Sequence, residues 1–112
     1  MYRMLISGGI ESECAEVPEK DENDDSNWEF KMKPLKSAYM VKNGREPSFT
    51  NYAQTKMDPQ PFIDCLDYIF MSDEWIVNSV KDLPTQEEVK GPMPTLIEPS
   101  DHLMISADLD FK

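Results

Sequence analysis

The C-terminal segment of the chain alternates in polarity more regularly than any other part of it. From Leu103 to Phe111 every second side chain is apolar, and the side chains between them are Met, Ser or Asp. A period of two places the apolar side chains on one face of an extended strand. The sequence therefore predicts a strand over 103–111.

Shorter segments upstream predict further strands. Residues 48–52 (SFTNY) are rich in β-forming side chains, and residues 65–71 (CLDYIFM) form an apolar run that contains one charge. Residues 75–80 form a third candidate after the turn at 72–74. We expect the second and third of these strands to pair as a hairpin.

Two helices are indicated by their ends. Met1–Ser7 has apolar side chains at helical spacing and is followed by Gly8, a residue that commonly ends helices. Thr85 and Glu88 match a capping box, in which each side chain hydrogen-bonds the other residue's amide, and predict a very short helix ended by Gly91.

Negative charge is concentrated in one segment of this 112-residue chain. The net charge is -11, and residues 11–29 contribute -8 of it through nine acids and one lysine. Such a segment cannot bury enough apolar surface to order itself, so we expect a solvated loop over 11–27. A strongly acidic protein would be a poor partner for phosphate groups. The rest of the chain is only mildly acidic, so a nucleic-acid partner is not excluded.

The sequence predicts no association with a membrane. No apolar run approaches the roughly 18 residues that a spanning helix needs, and no charged-then-apolar signal pattern opens the chain. Cys14 and Cys65 lie in such different settings that we expect two reduced thiols and no disulfide. We therefore expect a cytoplasmic or nuclear location, with which a mitochondrial matrix location is also compatible.

Two polar residues are candidates for chemistry. Asp67 interrupts an apolar segment, where its carboxylate must be hydrogen-bonded or else face solvent. His102, the single histidine, stands at the start of the alternating strand, and active sites often use such strand ends. A lone histidine is more often structural or simply exposed, so the residue alone does not define a site.

The segments around these residues resemble a known superfamily. Leu66–Phe70 (LDYIF) and Pro99–Leu103 (PSDHL) resemble the C-terminal end of the endonuclease/exonuclease/phosphatase superfamily. Leu35–Tyr39 (LKSAY), Glu46–Tyr52 (EPSFTNY) and Leu83-Pro84 look like its deadenylase branch. That branch includes carbon catabolite repressor 4-like deadenylases, nocturnin, Angel proteins, fungal RNA exonucleases and the mitochondrial 2',5'-phosphodiesterase.

The resemblance implies an α/β fold in which residues 1–112 form the C-terminal part of a two-sheet sandwich with mostly antiparallel strands. They would be the C-terminal portion of one catalytic domain, and Met1–Glu11 looks like the helix that follows the family's Asp-x-Asn motif. The main ligands of the family's Mg²⁺ ion would then lie outside this chain, so none of its own residues is expected to bind the metal.

The resemblance also implies catalytic roles. His102 would contact the phosphate and act as the acid/base group, and Asp67 would orient its imidazole. Asp101 would lie near the metal and the water. These roles require the Asp67 carboxylate to lie within hydrogen-bonding reach of a His102 ring nitrogen.

Two further residues correspond to substrate-binding positions. Phe62 stands where the deadenylases carry an aromatic that stacks on a base, and the alternative is that it packs under the proline-containing loop at 59–61. Asn51 would hydrogen-bond either the phosphate or the His-Asp assembly. Tyr52 and Tyr68 are expected to be packing residues.

The expected function is therefore that of a Mg²⁺-dependent 3'-5' RNA exonuclease acting on poly(A) or a similar single strand, truncated here and inactive alone. The alternatives are a non-catalytic acidic interaction protein of the same ancestry and a related phosphodiesterase or phosphatase. Expected partners are single-stranded RNA for the complete domain, and either a protein or the missing N-terminal half for this chain.

Overall fold

The computed structural model describes residues 1–10 and 31–112. The predicted acidic loop at 11–27 and Cys14 lie outside the described residues. The elements follow one another in chain order as α1 (Tyr2–Ser7), β1 (Lys36–Ser37), α2 (Ala38–Asn43), β2 (Asn51–Ala53), β3 (Phe62–Asp64), β4 (Phe70–Met71), β5 (Trp75–Val80), α3 (Gln86–Val89) and β6 (Ala107–Phe111). Within the described part of the chain, no helix is long and apolar enough to cross a membrane.

The strands of the described residues form three two-stranded sheets, and each sheet is antiparallel. β1 pairs with β4, β2 pairs with β3, and β5 pairs with β6. The expected α/β class with antiparallel strands is confirmed. The predicted hairpin between residues 65–71 and 75–80 is wrong, because β4 and β5 each pair with a distant strand instead of with each other.

The apolar run at 65–71 is extended into a regular strand only at its end. Residues 65–69 lie outside any strand, since the amides of Leu66 and Asp67 donate to the side-chain oxygen of Thr50. Amides bonded to a side chain are not available to a neighbouring strand. The charge in this run therefore marks a loop between β3 and β4.

The alternating segment is also a strand only in part. Residues 107–111 form β6, whereas 103–106 lack regular pairing. The alternation still describes burial, because Leu103, Ile105 and Leu109 are more buried than the residues between them. Phe111 is an exception: its ring packs on Trp75 at 5.3 Å between centroids but stays largely exposed.

Each predicted helix is present, and α1 ends as expected, but α3 is ended by Lys90 in the left-handed conformation and not by Gly91. Gly8 follows α1 in the left-handed conformation at φ 75°, and its amide donates to the carbonyl of Met4. A Cβ at Gly8 would collide with the carbonyl oxygen of Met32. The left-handed backbone and this close carbonyl therefore each require glycine at this position. The capping box of Thr85 and Glu88 is formed at the start of α3.

A carboxylate joins α1 to the first sheet. Glu46 accepts hydrogen bonds from the Tyr2 hydroxyl at 2.7 Å and from the Ser37 hydroxyl at 2.8 Å. Burial, together with this bond to Glu46, raises the pKa of Tyr2 to about 12. α1 is too short to be stable alone, and this contact is one of those that hold it.

Besides the buried residues Ala38, Tyr39 and Met71, the core contains one cluster at β2. This cluster consists of Phe49, Tyr52, Met93 and Leu103, and partly buried Ile63, Leu83 and Val89 pack on it. The backbone of Tyr52 bonds the carbonyl of Asp101 on one side and the amide of Met93 on the other. The core therefore fixes the segment that carries His102 against β2.

Candidate active site

β2 lies between the two segments that carry the candidate residues. Asn51 pairs with Asp64 of β3 on one side and forms an isolated antiparallel bridge with His102 on the other. The residue before it, Thr50, bonds the loop that contains Asp67. Residues 35 positions apart in sequence are therefore neighbours around one short strand.

The predicted contact between Asp67 and His102 is confirmed. The Nδ1 atom of His102 lies 2.7 Å from Oδ2 of Asp67. The expected setting is wrong in one respect, because neither residue lies in a regular strand. Asp67 is in the loop between β3 and β4, and His102 forms a single bridge before β6 begins.

The two groups stabilise each other's charged form. The hydrogen bond to Asp67 raises the pKa of His102 above its ordinary value. Partial burial acts to raise the pKa of Asp67, but hydrogen bonds from His102 and Thr50 outweigh it and lower that pKa. Near neutral pH the pair therefore holds a carboxylate beside an imidazole that protonates readily.

The imidazole remains accessible. The side chain of His102 is 40% exposed and that of Asp67 is 35% exposed. Among residues 1–10 and 31–112, no group hydrogen-bonds the second ring nitrogen, Nε2. A bond from Nδ1 to a carboxylate fixes the tautomer, which leaves Nε2 to exchange a proton with a bound molecule.

The structure brings Asn51 and Asp101 to the same place. Asn51 is buried, and its side-chain amide donates to the carbonyl oxygen of Asp101 at 3.2 Å. Asn51 thus holds the segment next to His102, and a contact with phosphate remains a prediction. The negative charge of Asp101 adds to the rise in the pKa of His102.

Phe62 is placed at the start of β3, opposite Ala53. Its side chain is 51% exposed, so much of the ring faces solvent, and a stacking role remains a prediction. Tyr52 and Tyr68 pack as expected: Tyr52 lies in the core, and Tyr68 stacks on Phe70 at 5.4 Å and donates to the carbonyl of Cys65.

The sequence analysis did not predict two features of the site. One is an open cleft of about 490 Å³ beside Asp67, lined mainly by apolar side chains that include Tyr2, Leu66 and Ile105. The other is Thr50, whose side chain is completely buried against the Asp67 loop. A threonine inside a β-rich segment is ordinary, so nothing in the sequence distinguished it from a packing residue.

The described residues do not by themselves form a site for the magnesium ion that the resemblance implies. Among them, no group of three or more His, Cys, Asp or Glu side chains is placed to hold a metal. Mg²⁺ is usually held by carboxylates together with water and phosphate oxygens. No chemical step that we assign to these residues therefore involves a metal.

Comparisons with known proteins identify relatives of the chain. The mouse protein named 2',5'-phosphodiesterase 12 is 32% identical over 116 residues, which covers 100% of this chain and 17% of that protein. The human protein of the same name is 33% identical over 118 residues, with the same coverage. Carbon catabolite repressor protein 4 homolog 4 of Arabidopsis thaliana is 37% identical over 83 residues, covering 70% of this chain and 18% of that protein.

These relatives define the class of the protein. The chain belongs to the endonuclease/exonuclease/phosphatase superfamily, and its relatives are of the deadenylase type, which confirms the resemblance seen in the sequence. It spans about one sixth of the length of the relatives it matches. No family model matches the chain, and no solved structure matches it.

Proposed function

We propose that this chain carries the acid/base pair of a phosphodiester hydrolase that acts on single-stranded RNA. The observation that supports this most strongly is the 2.7 Å contact between Nδ1 of His102 and the carboxylate of Asp67. The pair is reachable from solvent and carries an imidazole of raised pKa. The names of the relatives support the same kind of reaction.

In this proposal, Asp67 keeps Nδ1 protonated and turns Nε2 towards the scissile group. The protonated imidazole donates to a phosphate oxygen, which stabilises the negative charge that develops as water attacks the phosphorus. The bond to the leaving ribose oxygen breaks, and the proton lost by the water ends on that oxygen. Loss of such an acid/base group typically costs about 10²- to 10⁴-fold in rate. Asp101 and Asn51 hold the histidine in place, and Asp101 would face the attacking water.

A magnesium ion remains part of the proposal for the complete enzyme. When bound, it would polarise the phosphate and stabilise negative charge on its oxygens. The resemblance places its main ligands outside this chain. This requirement is the reason for proposing that the chain is inactive alone.

The linkage that is cleaved has two candidates. The resemblance to deadenylases favours the 3',5' bonds of poly(A), and the printed name of the mouse and human relatives favours 2',5' bonds between nucleotides. Both are phosphodiesters that join two riboses, so the His102 imidazole can serve either. The substrate class we propose is therefore short adenylate RNA, with both linkages tested.

A chimera provides the test. This chain replaces the matching segment of mouse 2',5'-phosphodiesterase 12, and hydrolysis of 2',5'-linked and 3',5'-linked oligoadenylate is measured with Mg²⁺. We expect hydrolysis by the chimera and a loss of about 10²-fold or more in kcat for His102→Asn and for Asp67→Asn. Asp108→Asn, an exposed aspartate of β6, is the matched control and should leave kcat unchanged.

Two results would contradict the proposal. The first is a chimera that has the circular dichroism of the parent enzyme but hydrolyses neither linkage. The second is full activity in the His102→Asn chimera. The first result would favour the alternative of a non-catalytic interaction protein.

A further inference from the structure

The backbone and the side-chain oxygen of Thr50 bond the segments on both sides of it, which carry the candidate pair. Its amide donates to the carbonyl of Asp64 at 3.0 Å, and its carbonyl accepts from the amide of Leu103 at 2.7 Å. Its side-chain oxygen accepts from the amides of Leu66 at 2.9 Å and Asp67 at 3.0 Å. The residue is completely buried.

We propose that Thr50 is a positioning residue, whose hydroxyl sets the direction of the Asp67 carboxylate towards His102. The catalytic consequence rests on the proposed function, whereas the geometry does not. Thr50 is completely buried, so it would act through Asp67 and not by contact with a substrate.

The number of hydrogen bonds that a hydroxyl can make supports this assignment. A threonine hydroxyl has two lone pairs and one proton. The amides of Leu66 and Asp67 occupy the lone pairs, so the proton is left for an acceptor on the remaining side. The acceptors beside it are the Asp67 carboxylate and the Cys65 sulfur, and an ionised carboxylate is much the stronger acceptor.

The pKa shifts of the two neighbouring acceptors, Asp67 and Cys65, agree with this assignment. A hydrogen bond from Thr50 is one of the causes that lower the pKa of Asp67, after that from His102. Burial raises the pKa of the Cys65 thiol and outweighs a hydrogen bond from Thr50 that acts to lower it, which keeps the sulfur neutral and a weak acceptor. Thr50 therefore fixes the amide of Asp67, and its hydroxyl favours the ionised form of the carboxylate.

A purely structural role would look similar in the coordinates, so the test must measure the pair itself. His102 is the single histidine of the chain, so its ring proton signals can be followed by NMR titration without competing imidazoles. Thr50→Val removes the hydroxyl at nearly constant shape, and Thr50→Ser keeps it. Thr95→Val is the matched control, because Thr95 also accepts from two backbone amides, those of Ile97 and Glu98, in a separate turn.

We expect Thr50→Val to lower the pKa of His102 by about half a unit or more. Thr50→Ser and Thr95→Val should leave that pKa unchanged. In the chimera, Thr50→Val should lower kcat more than it raises KM, and Thr50→Ser should restore kcat. If the pKa falls while the kcat of the chimera is unaffected, positioning is supported and the proposed function is wrong.

Two outcomes would overturn the proposal. One is an unchanged pKa of His102 in a Thr50→Val variant that keeps the circular dichroism and amide dispersion of the parent chain. The other is failure of both Thr50→Val and Thr50→Ala to fold while Thr50→Ser folds. That result would make the hydroxyl a structural requirement of the loop.

Discussion

The amide of Leu103 donates a hydrogen bond of 2.7 Å to the carbonyl oxygen of Thr50. This bond fixes the residue that follows His102 to the residue that also holds the Asp67 loop. The contact between His102 and Asp67 is itself more than one third exposed, and exposed ion pairs contribute little to stability. The pair is therefore a result of backbone pairing around β2 rather than its cause.

Phe62 and Phe49 provide one comparison. Phe62 is half-exposed and Phe49 is buried in the core, so truncation to alanine should mainly weaken binding at Phe62 and mainly lower stability at Phe49. In a chimera made inactive by His102→Asn, Phe62→Ala should weaken binding of oligoadenylate by roughly 5- to 150-fold, the value of one stacked base. In urea unfolding of the chain, Phe49→Ala should cost about 3–5 kcal/mol and Phe62→Ala much less. A Phe62→Ala variant that loses stability but not affinity would show that Phe62 only packs.

Gly8 and Gly44 provide a second comparison. Both end a helix with left-handed backbone, at φ 75° and 72°. A Cβ at Gly44 would meet open space, whereas one at Gly8 would collide with the Met32 carbonyl. We expect Gly44→Ala to cost about 1–2 kcal/mol from backbone strain, and Gly8→Ala to cost clearly more. Urea unfolding measures both, and equal losses would show that the contact between residue 8 and residue 32 is not formed.

Magnesium dependence can be tested on the chain alone. Because the resemblance places the main metal ligands outside this chain, we expect the purified 112-residue chain with Mg²⁺ to leave poly(A) uncut. Gel analysis of labelled poly(A) is the measurement, and the active chimera is the positive control. Shortening of poly(A) by the chain, lost in His102→Asn, would overturn this prediction.

The pair should also make stability depend on pH. The raised pKa of His102 gives a contribution that is present below its ordinary value of 6.5 and lost as the pH rises through the raised value. The lowered pKa of Asp67 gives one that is present above 3.8 and lost as the pH falls through the lowered value. The free energy of unfolding lost in Asp67→Asn should therefore be largest between about pH 4 and 6.5 and smaller above this window. A loss that is the same at pH values inside and above the window would contradict this.

Local signals in the sequence predicted local structure well. The glycine at position 8 and the capping box of Thr85 and Glu88 depend on neighbouring residues only, and both were read correctly. The contact of His102 with Asp67 is non-local and came from resemblance to a family. Two of the segments that carry that resemblance are in contact in the structure. Ser37 of one segment donates a hydrogen bond of 2.8 Å to Glu46 of the other.

Strand pairing was predicted less well, for a physical reason. The apolar run at 65–71 has a strand-like composition. Two of its amides nevertheless donate hydrogen bonds to the Thr50 side chain, and five of its residues form a loop. Which side chain will compete for a backbone amide depends on tertiary position, and composition does not record it. The same limitation hid Thr50 as a candidate site residue.

The most direct test of the account is the pKa of His102 with and without its partner. NMR titration of the single histidine should give a pKa above 6.5 in the parent chain and in the Asp108→Asn control. In Asp67→Asn, which removes the negative charge, the pKa should fall to about 6.5 or below. A pKa that is the same in the parent chain and in Asp67→Asn would show that His102 and Asp67 do not act as a pair, and would contradict the account.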